Sequence, residues 1–549
     1  GMWHIRENVG IDDQDLGRVY NHAVALRLIK YIGPHWKRVV FILSATFVYT
    51  LTVMAIPFLI AQTIDTYVNQ DDMAGLNLIV AIFVFVAGIQ FATQYTQQRI
   101  LSFVGQKVLL SLRIDLFRHI QKLSLSFFDE NETGRVMSRV QNDVQQLQEF
   151  ISIIALAIAD ILMLGGIILA MLLMKWDLAL LVLITVPILM VVVFIWQRYA
   201  WRSFMKVRRA MATVNANLQE NISGVRIIQS LNRTTLNVAK FDKLNHDHLV
   251  SGISASKLGA SLLPTIEIVT AITFAITIII GGISVINGHL DVGGLVAFAL
   301  FIQRFFEPLR SITMQYAGLQ RAMTSGQHIF ELMDIRPDIT DKQGAIDLPH
   351  INGAIKFEHV HFHYDEGVPV LSDIDVSINS GEKIALVGAT GAGKTTFVSL
   401  VSRFYDPTQG RITIDNIDVR DMTRVSFAKH TGTVTQDPFL FSGTIKDNII
   451  FSHSNITDEQ LVEASTTIGA HSFISRLEFG YNTTIEERGS NLSPGERQLI
   501  SLTRAIIGNP SIVILDEATA TVDSHTEKVI QTGLDNLLEG RTALIIAHR

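Results

Sequence analysis

The residues with the clearest potential for chemistry lie between positions 388 and 396. They have the types and spacing of a phosphate-binding loop: Gly388, Thr390, Gly391, Ala392, Gly393, Lys394, Thr395 and Thr396. A predicted strand, Lys383–Val387, leads into the loop, and a helix predicted to open at Phe397 follows it. The glycines let backbone N–H groups approach phosphate oxygens, and the helix N-terminus adds positive potential. We predict that Lys394 neutralises the β- and γ-phosphates of a nucleotide and that the Thr395 hydroxyl binds Mg²⁺.

A pair of acidic residues follows a second predicted strand. The run Ile512–Leu515 is wholly apolar, and Asp516 and Glu517 come directly after it. An acid at the carboxyl end of a strand beside the phosphate-binding loop can hold Mg²⁺ through water, which is the role predicted for Asp516. Glu517 is the predicted general base that activates the attacking water. A pair of surface acids is the alternative, and the branched apolar residues before it argue against that. ATP and Mg²⁺ are therefore the predicted cofactors.

The composition indicates what kind of protein contains these residues. A chain of 549 residues is too long for one hydrophobic core, so two or more domains are expected. Apolar residues make up 48% of the chain and charged residues 17%, with the apolar excess in the first 320 positions. The absence of cysteine excludes disulfides, thiol catalysis and zinc–thiolate sites. The net charge of −6 gives no reason to expect nucleic acid as a partner.

Six apolar segments in the first part of the chain are each long enough to span about 30 Å of hydrocarbon. They lie near Val39–Ala61, Leu76–Thr96, Ile151–Met174, Leu178–Trp201, Leu258–Ile286 and Leu295–Met323. Buried core helices are the alternative, but six such runs without intervening strands favour membrane spans. The predicted fold is a polytopic α-helical membrane domain with six transmembrane helices, followed by an α/β P-loop NTPase domain.

The distribution of basic residues predicts the orientation in the membrane. Two long loops, Gln98–Phe150 and Arg198–Lys257, are rich in Lys and Arg, whereas the three opposite connections are short and nearly lack them. Under the positive-inside rule both long loops and both termini are cytosolic. The long loops should be helical extensions of the spans, because apolar residues recur there at helical spacing. We predict a membrane domain over 1–333 with an interfacial helix near 22–33, a linker over 334–353, and an ATP-binding domain over 354–549.

Two acidic residues, Asp160 and Glu267, fall within the predicted spans. A carboxylate at membrane depth is costly and usually faces a cavity or a partner. Either acid could face a substrate, or it could make a structural hydrogen bond between helices. The sequence leaves both interpretations open.

The order of further motifs resembles that of the ATP-binding-cassette (ABC) exporters. The loop pattern Phe127-Phe128-Asp129 is similar to the family's segments that press on the ATP-binding domains. The resemblance implies that Tyr364 stacks on adenine, that Gln436 touches Mg²⁺, and that His548 contacts the γ-phosphate. Asp523 matches a further loop of the family. In complete relatives another strand–helix region follows the residue matching His548, so the resemblance implies a C-terminal truncation.

The segment Leu492–Gln498 stands where the family has its signature motif, usually Leu-Ser-Gly-Gly-Gln. In the family this motif opens a helix that points at ATP bound by the opposite subunit, which makes Ser493 and Gly495 candidate ATP contacts. Here the motif contains Pro494 and Glu496. Ser493 and Glu496 predict a capping box, with Pro494 at the favoured first helical position. Proline also lacks an N–H for phosphate, and Glu496 adds negative charge.

The altered motif bears on the partner. Members of the family with intact catalytic positions and an altered signature usually pair with a different subunit, so we expect a heterodimer, with a homodimer as the alternative. The predicted function is export or flipping of a hydrophobic or amphipathic drug, lipid or peptide-like substrate, driven by ATP hydrolysis through alternating access. The predicted location is a lipid bilayer, the bacterial cell (inner) membrane, with the ATP-binding domain cytosolic. The alternatives are an ATP-gated channel or regulatory member, and a non-membrane ATPase that would not need six spans.

Overall fold

The computed structural model describes residues 22–68, 72–365, 367–451, 453, 455–516 and 524–546. These residues form two compact units. The helical unit comprises residues 22–119 and 134–334, and the α/β unit comprises residues 120–133 and 335–546.

The helical unit consists of long α-helices with short connections. Its helices, together with α4 of the α/β unit, are α1 (His22–Ile32), α2 (Trp36–Gln62), α3 (Met73–Ile120), α4 (Leu125–Glu130), α5 (Thr133–Ser138), α6 (Val144–Met174), α7 (Trp176–Ser223), α8 (Val225–Ser230), α9 (Thr234–Ile286) and α10 (Val292–Asp334). Six helical stretches among the described residues are long and apolar enough to cross a membrane. Each predicted span falls within one long helix, and the sixth continues past Ser311, where the apolar stretch of α10 ends. The prediction of six transmembrane helices is confirmed.

The membrane helices are much longer than a bilayer requires. Helices α3 and α7 have 48 residues each and α9 has 53. At 1.5 Å per residue these lengths are about 70–80 Å, more than twice the ~30 Å hydrocarbon thickness. The spans of α3, α6, α7 and α9 continue into the basic loops as helices, as predicted. Residues 121–132 are an exception, because they leave the helix α3 and belong to the α/β unit.

Aromatic residues of α10 form the centre of the helical unit. Phe298, Phe301, Phe305 and Phe306 have at most 1% of their surface exposed and pack with residues of α6, α7 and α9. Trp196 of α7 also donates a hydrogen bond from its indole N–H to a carbonyl of α9 over 2.8 Å. A tryptophan N–H in an apolar region needs such an acceptor.

The short helix α1 packs on the C-terminal end of α10. The Arg27 guanidinium donates to both carboxylate oxygens of Asp334 at 2.7 and 2.6 Å and lies 4.6 Å from the ring centroid of Phe330. Val24 and Leu28 of the same helix are buried. The helix predicted near 22–33 is thus present, and a bidentate ion pair holds it.

The α/β unit contains ten strands and seven further helices among its described residues. The strands are β1 (Ile355–Phe362), β2 (Leu371–Ile378), β3 (Lys383–Leu386), β4 (Gln409–Ile414), β5 (Ile417–Asp418), β6 (Thr431–Val434), β7 (Gly443–Thr444), β8 (Thr484–Ile485), β9 (Ile512–Asp516) and β10 (Thr542–Ile546). The helices are α11 (Lys394–Val401), α12 (Arg424–His430), α13 (Ile445–Ile450), α14 (Asp458–Ile468), α15 (His471–Ile474), α16 (Pro494–Ile506) and α17 (Ser524–Leu538).

Two four-stranded sheets organise this unit. An antiparallel sheet has the order β2-β1-β4-β5, a parallel sheet has the order β3-β10-β9-β6, and β7 pairs with β8. Strand β9 is buried on both faces: Ile512 and Ile514 join the core beside α11, and Val513 and Leu515 join the core beside α16. This two-sided burial explains its uninterrupted apolar sequence.

Residues 120–133, including α4, belong to the α/β unit rather than to the helical unit. The Ser124 hydroxyl accepts a hydrogen bond from the Ile339 amide at 2.9 Å, and the Ser126 hydroxyl donates to Asp338 at 2.5 Å. Phe127 is buried in the same unit. The sequence predicts that this segment belongs to the domain 1–333. Its partners at 338–339 are more than two hundred residues away, so no local pattern reveals the contact.

Candidate nucleotide-binding site

The parallel sheet brings the ends of its strands to one edge. Leu386 pairs with Ile546, and Ile546 pairs with Asp516, all in parallel register. The phosphate-binding loop follows β3, Asp516 ends β9, and Gln436 comes two residues after β6. The carboxyl edge of a parallel sheet is where ligands bind in α/β folds. Three sequence-predicted elements of the site therefore lie along the same edge.

Two glycines determine the path of the phosphate-binding loop. Gly391 and Gly393 have φ angles of 87° and 85°, in the left-handed region that favours glycine. A Cβ on Gly393 would lie 2.9 Å from the Leu371 side chain and 3.3 Å from the Val370 carbonyl oxygen. The chain can turn into α11 here only because residue 393 has no side chain.

Helix α11 begins at Lys394, not at Phe397 as the sequence suggested. The polar residues Lys394, Thr395 and Thr396 form its first turn, whose amides have no acceptor within the helix. Such a terminus is suited to phosphate oxygens. The Lys394 ammonium donates to the carbonyls of Gly388 and Ala389 at 2.6 and 3.1 Å, so its charge lies over the loop itself.

An aromatic cluster stands beside the first turn of α11. Tyr364, the predicted adenine platform, is 51% exposed, and its hydroxyl lies 3.1 Å from the Thr396 hydroxyl. Its ring meets those of Phe362 and Tyr405 edge to face, with centroids 4.8 and 5.1 Å away. These contacts fix the ring of Tyr364 while leaving half of its surface accessible.

Tyr405 was not identified from the sequence. Its hydroxyl donates a hydrogen bond to Asp129, in the segment 120–133. Burial, followed by this bond to Asp129, raises the pKa of the Tyr405 phenol above its usual range, so the hydroxyl stays a donor. Tyr405 thus joins the predicted adenine platform to the Phe127-Phe128-Asp129 pattern. The only signal in the sequence was an aromatic residue shortly after α11.

The remaining predicted residues differ in how far the structure describes them. Asp516 is half-buried at the end of β9, and Gln436 is exposed. Glu517, Asp523 and His548 lie outside the described residues, so their roles stay predictions.

The signature segment forms the predicted capping box. The Ser493 amide and hydroxyl both donate to Oε2 of Glu496 at 2.8 Å, and the Glu496 amide donates back to the Ser493 hydroxyl at 3.3 Å. Pro494 is the first helical residue of α16, and Gly495 is buried in its first turn. Both donors of Ser493 therefore have an acceptor within the segment.

Arg504 connects α16 by hydrogen bonds to the segment that follows Gln436. The sequence alone did not reveal this contact. Its guanidinium donates to the Phe439 carbonyl at 2.8 Å, and to the Asn448 carbonyl and side-chain oxygen at 2.7 and 2.9 Å. Burial lowers the pKa of this guanidinium, and the three oxygen acceptors compensate for its lost hydration. A basic residue on an otherwise apolar stretch of α16 was the available signal.

Comparison with known proteins identifies the family. Residues 39–309 match the family model described as the ABC transporter transmembrane region, and residues 371–520 match the model described as ABC transporter. The chain belongs to the ABC transporter family. Both family regions lie in one polypeptide, so the chain is an ABC exporter half-transporter with an ATPase domain. It is a multi-pass integral membrane protein. The predicted family, fold class, exporter function and ATPase activity are confirmed.

Several bacterial half-transporters are similar to it over most of their length. The ABC transporter ATP-binding protein YknV of Bacillus subtilis is 38% identical over 98% of this chain and 89% of that protein. An ATP-dependent lipid A-core flippase of Syntrophus aciditrophicus is 33% identical over 95% of this chain and 87% of that protein. A fatty acid ABC transporter ATP-binding/permease protein of Mycobacterium tuberculosis is 34% identical over 83% of this chain and 72% of that protein.

Proposed function

We propose that this half-transporter exports or flips a hydrophobic or amphipathic compound across the bacterial cell (inner) membrane, driven by hydrolysis of Mg²⁺-ATP at the carboxyl edge of the parallel sheet. The observation that carries the proposal is the phosphate-binding loop at that edge, in one chain with six membrane-spanning helices. Relatives named for lipid A-core and fatty acids support a lipid-like or amphipathic substrate. The domain bounds we propose remain 1–333, 334–353 and 354–549, except that residues 120–133 belong to the α/β unit.

The oxygen-bearing side chains at this edge fit Mg²⁺. Thr395 supplies a hydroxyl, Gln436 an amide oxygen and Asp516 a carboxylate acting through water, and hard oxygen donors are what Mg²⁺ prefers. When bound, the ion would neutralise charge on the β- and γ-phosphates. Lys394 would exchange its present bonds to loop carbonyls for phosphate oxygens, which keeps a cation at the same place.

Three further residues complete the proposed reaction. Tyr364 stacks on adenine and so positions the nucleotide. Glu517 accepts a proton from the attacking water, and His548 donates a hydrogen bond to the γ-phosphate. Gly388, Thr390, Gly391, Ala392, Gly393 and Thr396 contribute the phosphate-binding loop.

ABC exporters act as dimers, and we propose that this chain pairs with a different half-transporter. The capping box supports this, because Glu496 accepts from both donors of Ser493 and adds a negative charge where Ser493 and Gly495 would face a phosphate. Pro494 removes one more N–H. The site covered by this segment would hold ATP and cleave it slowly. The site built on this chain's own Lys394 and Glu517 would receive its signature from the partner.

Reconstitution in lipid vesicles tests the proposal. The purified transporter should hydrolyse ATP only with Mg²⁺ and should accumulate an amphipathic dye or a labelled lipid on one side of the membrane when ATP is present. Nucleotide-dependent ion conductance without directional accumulation would support a channel instead. Purification from the native host, followed by mass spectrometry, identifies the second subunit; a pure, active homodimer contradicts the proposed pairing.

A further inference from the structure

Helix α10 has two faces of opposite character. One face carries the buried residues Phe301, Phe305 and Phe306. Exposed Gln303 and Glu307 lie on the other face. Arg310, Ser311 and Gln315, which are half-buried, continue that polar face. A membrane-spanning helix cannot direct such a face at hydrocarbon without large cost, so polar spans usually line a cavity or meet polar partners.

Asp160 of α6 joins this polar face. The side chains of Ser311 and Gln315 lie within hydrogen-bonding reach of its carboxylate. The Gln315 amide also donates to the Ser311 hydroxyl at 2.5 Å. These contacts fix the three side chains as one cluster between α6 and α10. The structural interpretation of Asp160 explains these bonds, but it leaves part of the cluster unexplained.

The unexplained part is a pair of acceptors without donors. Oδ2 of Asp160 and Oε1 of Gln315 are buried, and neither has a hydrogen-bond partner in the part of the chain that the structure describes. Among the described residues Arg310 makes no ion pair with Asp160, although its own Nε is also buried without a partner. Native proteins rarely leave buried acceptors unsatisfied, so two in one cluster indicate a donor supplied from outside the chain.

The chemistry of the cluster selects the ligand. A carboxylate oxygen and an amide oxygen both accept hydrogen bonds, and the carboxylate repels anions. A primary or secondary ammonium carries the matching positive charge and at least two N–H donors. A quaternary ammonium has the charge but lacks the donors, and a neutral lipid tail gains nothing from either oxygen.

We propose that Asp160, Ser311 and Gln315 form the site that recognises the protonated amine of an amphipathic substrate. This inference rests on the exporter function and narrows the substrate class to lipophilic amines. Asp160 and Gln315 accept from the ammonium, and Ser311 holds the Asp160 carboxylate in place. Glu267 is the contrasting acid: it is exposed on α9 and, among the described residues, has no hydrogen bond or ion pair.

Dye binding without nucleotide tests the proposal. The probes are dansylcadaverine, which has a primary ammonium, and its N-acetyl derivative, which has neither the charge nor the ammonium donors. Binding to the reconstituted transporter is measured by fluorescence titration. The wild-type protein should prefer the amine. Asp160→Asn should weaken amine binding by roughly 10-fold or more, as expected for loss of a charge-assisted hydrogen bond, and should change binding of the acetylated dye less than about twofold. The matched control, Glu267→Gln, should leave binding of both dyes within about twofold of wild type.

Further measurements test whether Asp160→Asn acts by disturbing the structure instead of by removing a charge. Gln315→Met keeps the side-chain volume and the Asp160 charge but removes one acceptor together with the amide that donates to Ser311, so amine binding should weaken by about threefold to 10-fold. Thermal unfolding of each variant shows whether the fold is retained. The proposal is wrong if wild type shows no preference for the amine, if Asp160→Asn weakens both dyes equally, or if Gln315→Met binds the amine like wild type. Because these titrations contain no ATP, loss of hydrolysis would count against the ATP site and not against the amine site.

Discussion

Two helices of the α/β unit begin beside segments predicted to contact ATP, yet their N-termini differ. Helix α11 starts at Lys394 after Gly393, and no side chain among the described residues caps it. Helix α16 starts at Pro494 after Ser493, and Glu496 closes a capping box. The first amides of any helix lack acceptors within the helix. The uncapped amides of α11 are therefore suited to an external anion, whereas α16 supplies its own acceptor, the carboxylate of Glu496.

The difference suggests two roles: the N-terminus of α11 binds the phosphates of ATP, and the N-terminus of α16 covers ATP bound by the partner. An uncapped N-terminus is stabilised most by a phosphate, because the phosphate oxygens accept hydrogen bonds from amides that have no other acceptor. A capped N-terminus is more stable alone and gains less. If this half-transporter works in a heterodimer, the contrast predicts that its own α11 serves a fast site and its α16 covers a slow one.

The largest expected effect comes from the proposed base at the α11 site. Glu517→Gln should retain ATP binding and reduce hydrolysis on the order of 10²–10⁴-fold, the usual contribution of a general base. In the heterodimer Ser493→Ala should lower hydrolysis only a few-fold, because it affects the slow site. Steady-state ATPase rates and nucleotide-binding titrations measure both. Equal loss in the two variants of an active homodimer would remove the proposed asymmetry.

A smaller effect, on ATP affinity, should follow from replacing the glycine in the turn that leads into α11. Gly393→Ala places a Cβ against Leu371 in a left-handed conformation that costs an L-residue roughly 1–2 kcal/mol, so ATP affinity should fall about 10-fold or more. Equilibrium nucleotide binding is the measurement. Gly344→Ala is the matched control, since Gly344 has a φ of 89° with open space around it. If both substitutions weaken ATP equally, general backbone strain and not the site is responsible.

The contrast between the helices was visible in the sequence because its determinants are local. Consecutive residues 388–396 define the phosphate-binding loop, and Ser493 with Glu496 defines the capping box. The start of α11 was placed three residues late, because Lys394, Thr395 and Thr396 have the polar character of a loop. Their helical conformation follows from the turn at Gly393.

The parts of the site that the sequence did not reveal depend on distant partners. Tyr405 and Asp129 are 276 residues apart, and Arg504 lies 65 residues from Phe439. The cluster of Asp160 with Ser311 and Gln315 likewise joins two separate spans. No local pattern specifies such pairs, since the fold brings them together. The sequence identified Asp160 as unusual but could not name its partners.

Arg504 offers a test of how firmly α16 is held. Arg504→Lys keeps the charge but cannot reach the three oxygens of Phe439 and Asn448 in the same fork, so unfolding free energy should fall by about 1–3 kcal/mol. Chemical denaturation of the transporter, monitored in the α/β unit, measures this. Arg476→Lys is the control: Arg476 is exposed with one bond to a carbonyl, and its change should stay within about 0.5 kcal/mol. Equal effects would mean that Arg504 does not brace the helix.

The smallest expected effect, and the sharpest test of the contrast, comes from neutralising the cap. Glu496→Gln keeps the shape and can still close a capping box, so stability should change by less than about 1 kcal/mol. It removes the negative charge that Ser493 faces through two bonds of 2.8 Å. ATP held at the covered site should therefore turn over faster, by about twofold to fivefold, which corresponds to roughly 0.4–1 kcal/mol. Single-turnover release of phosphate in the Glu517→Gln background isolates this site, because the fast site is then silent. An unchanged or slower rate would mean that the Glu496 charge does not restrain the covered site, and the two helix N-termini would then differ in structure without differing in function.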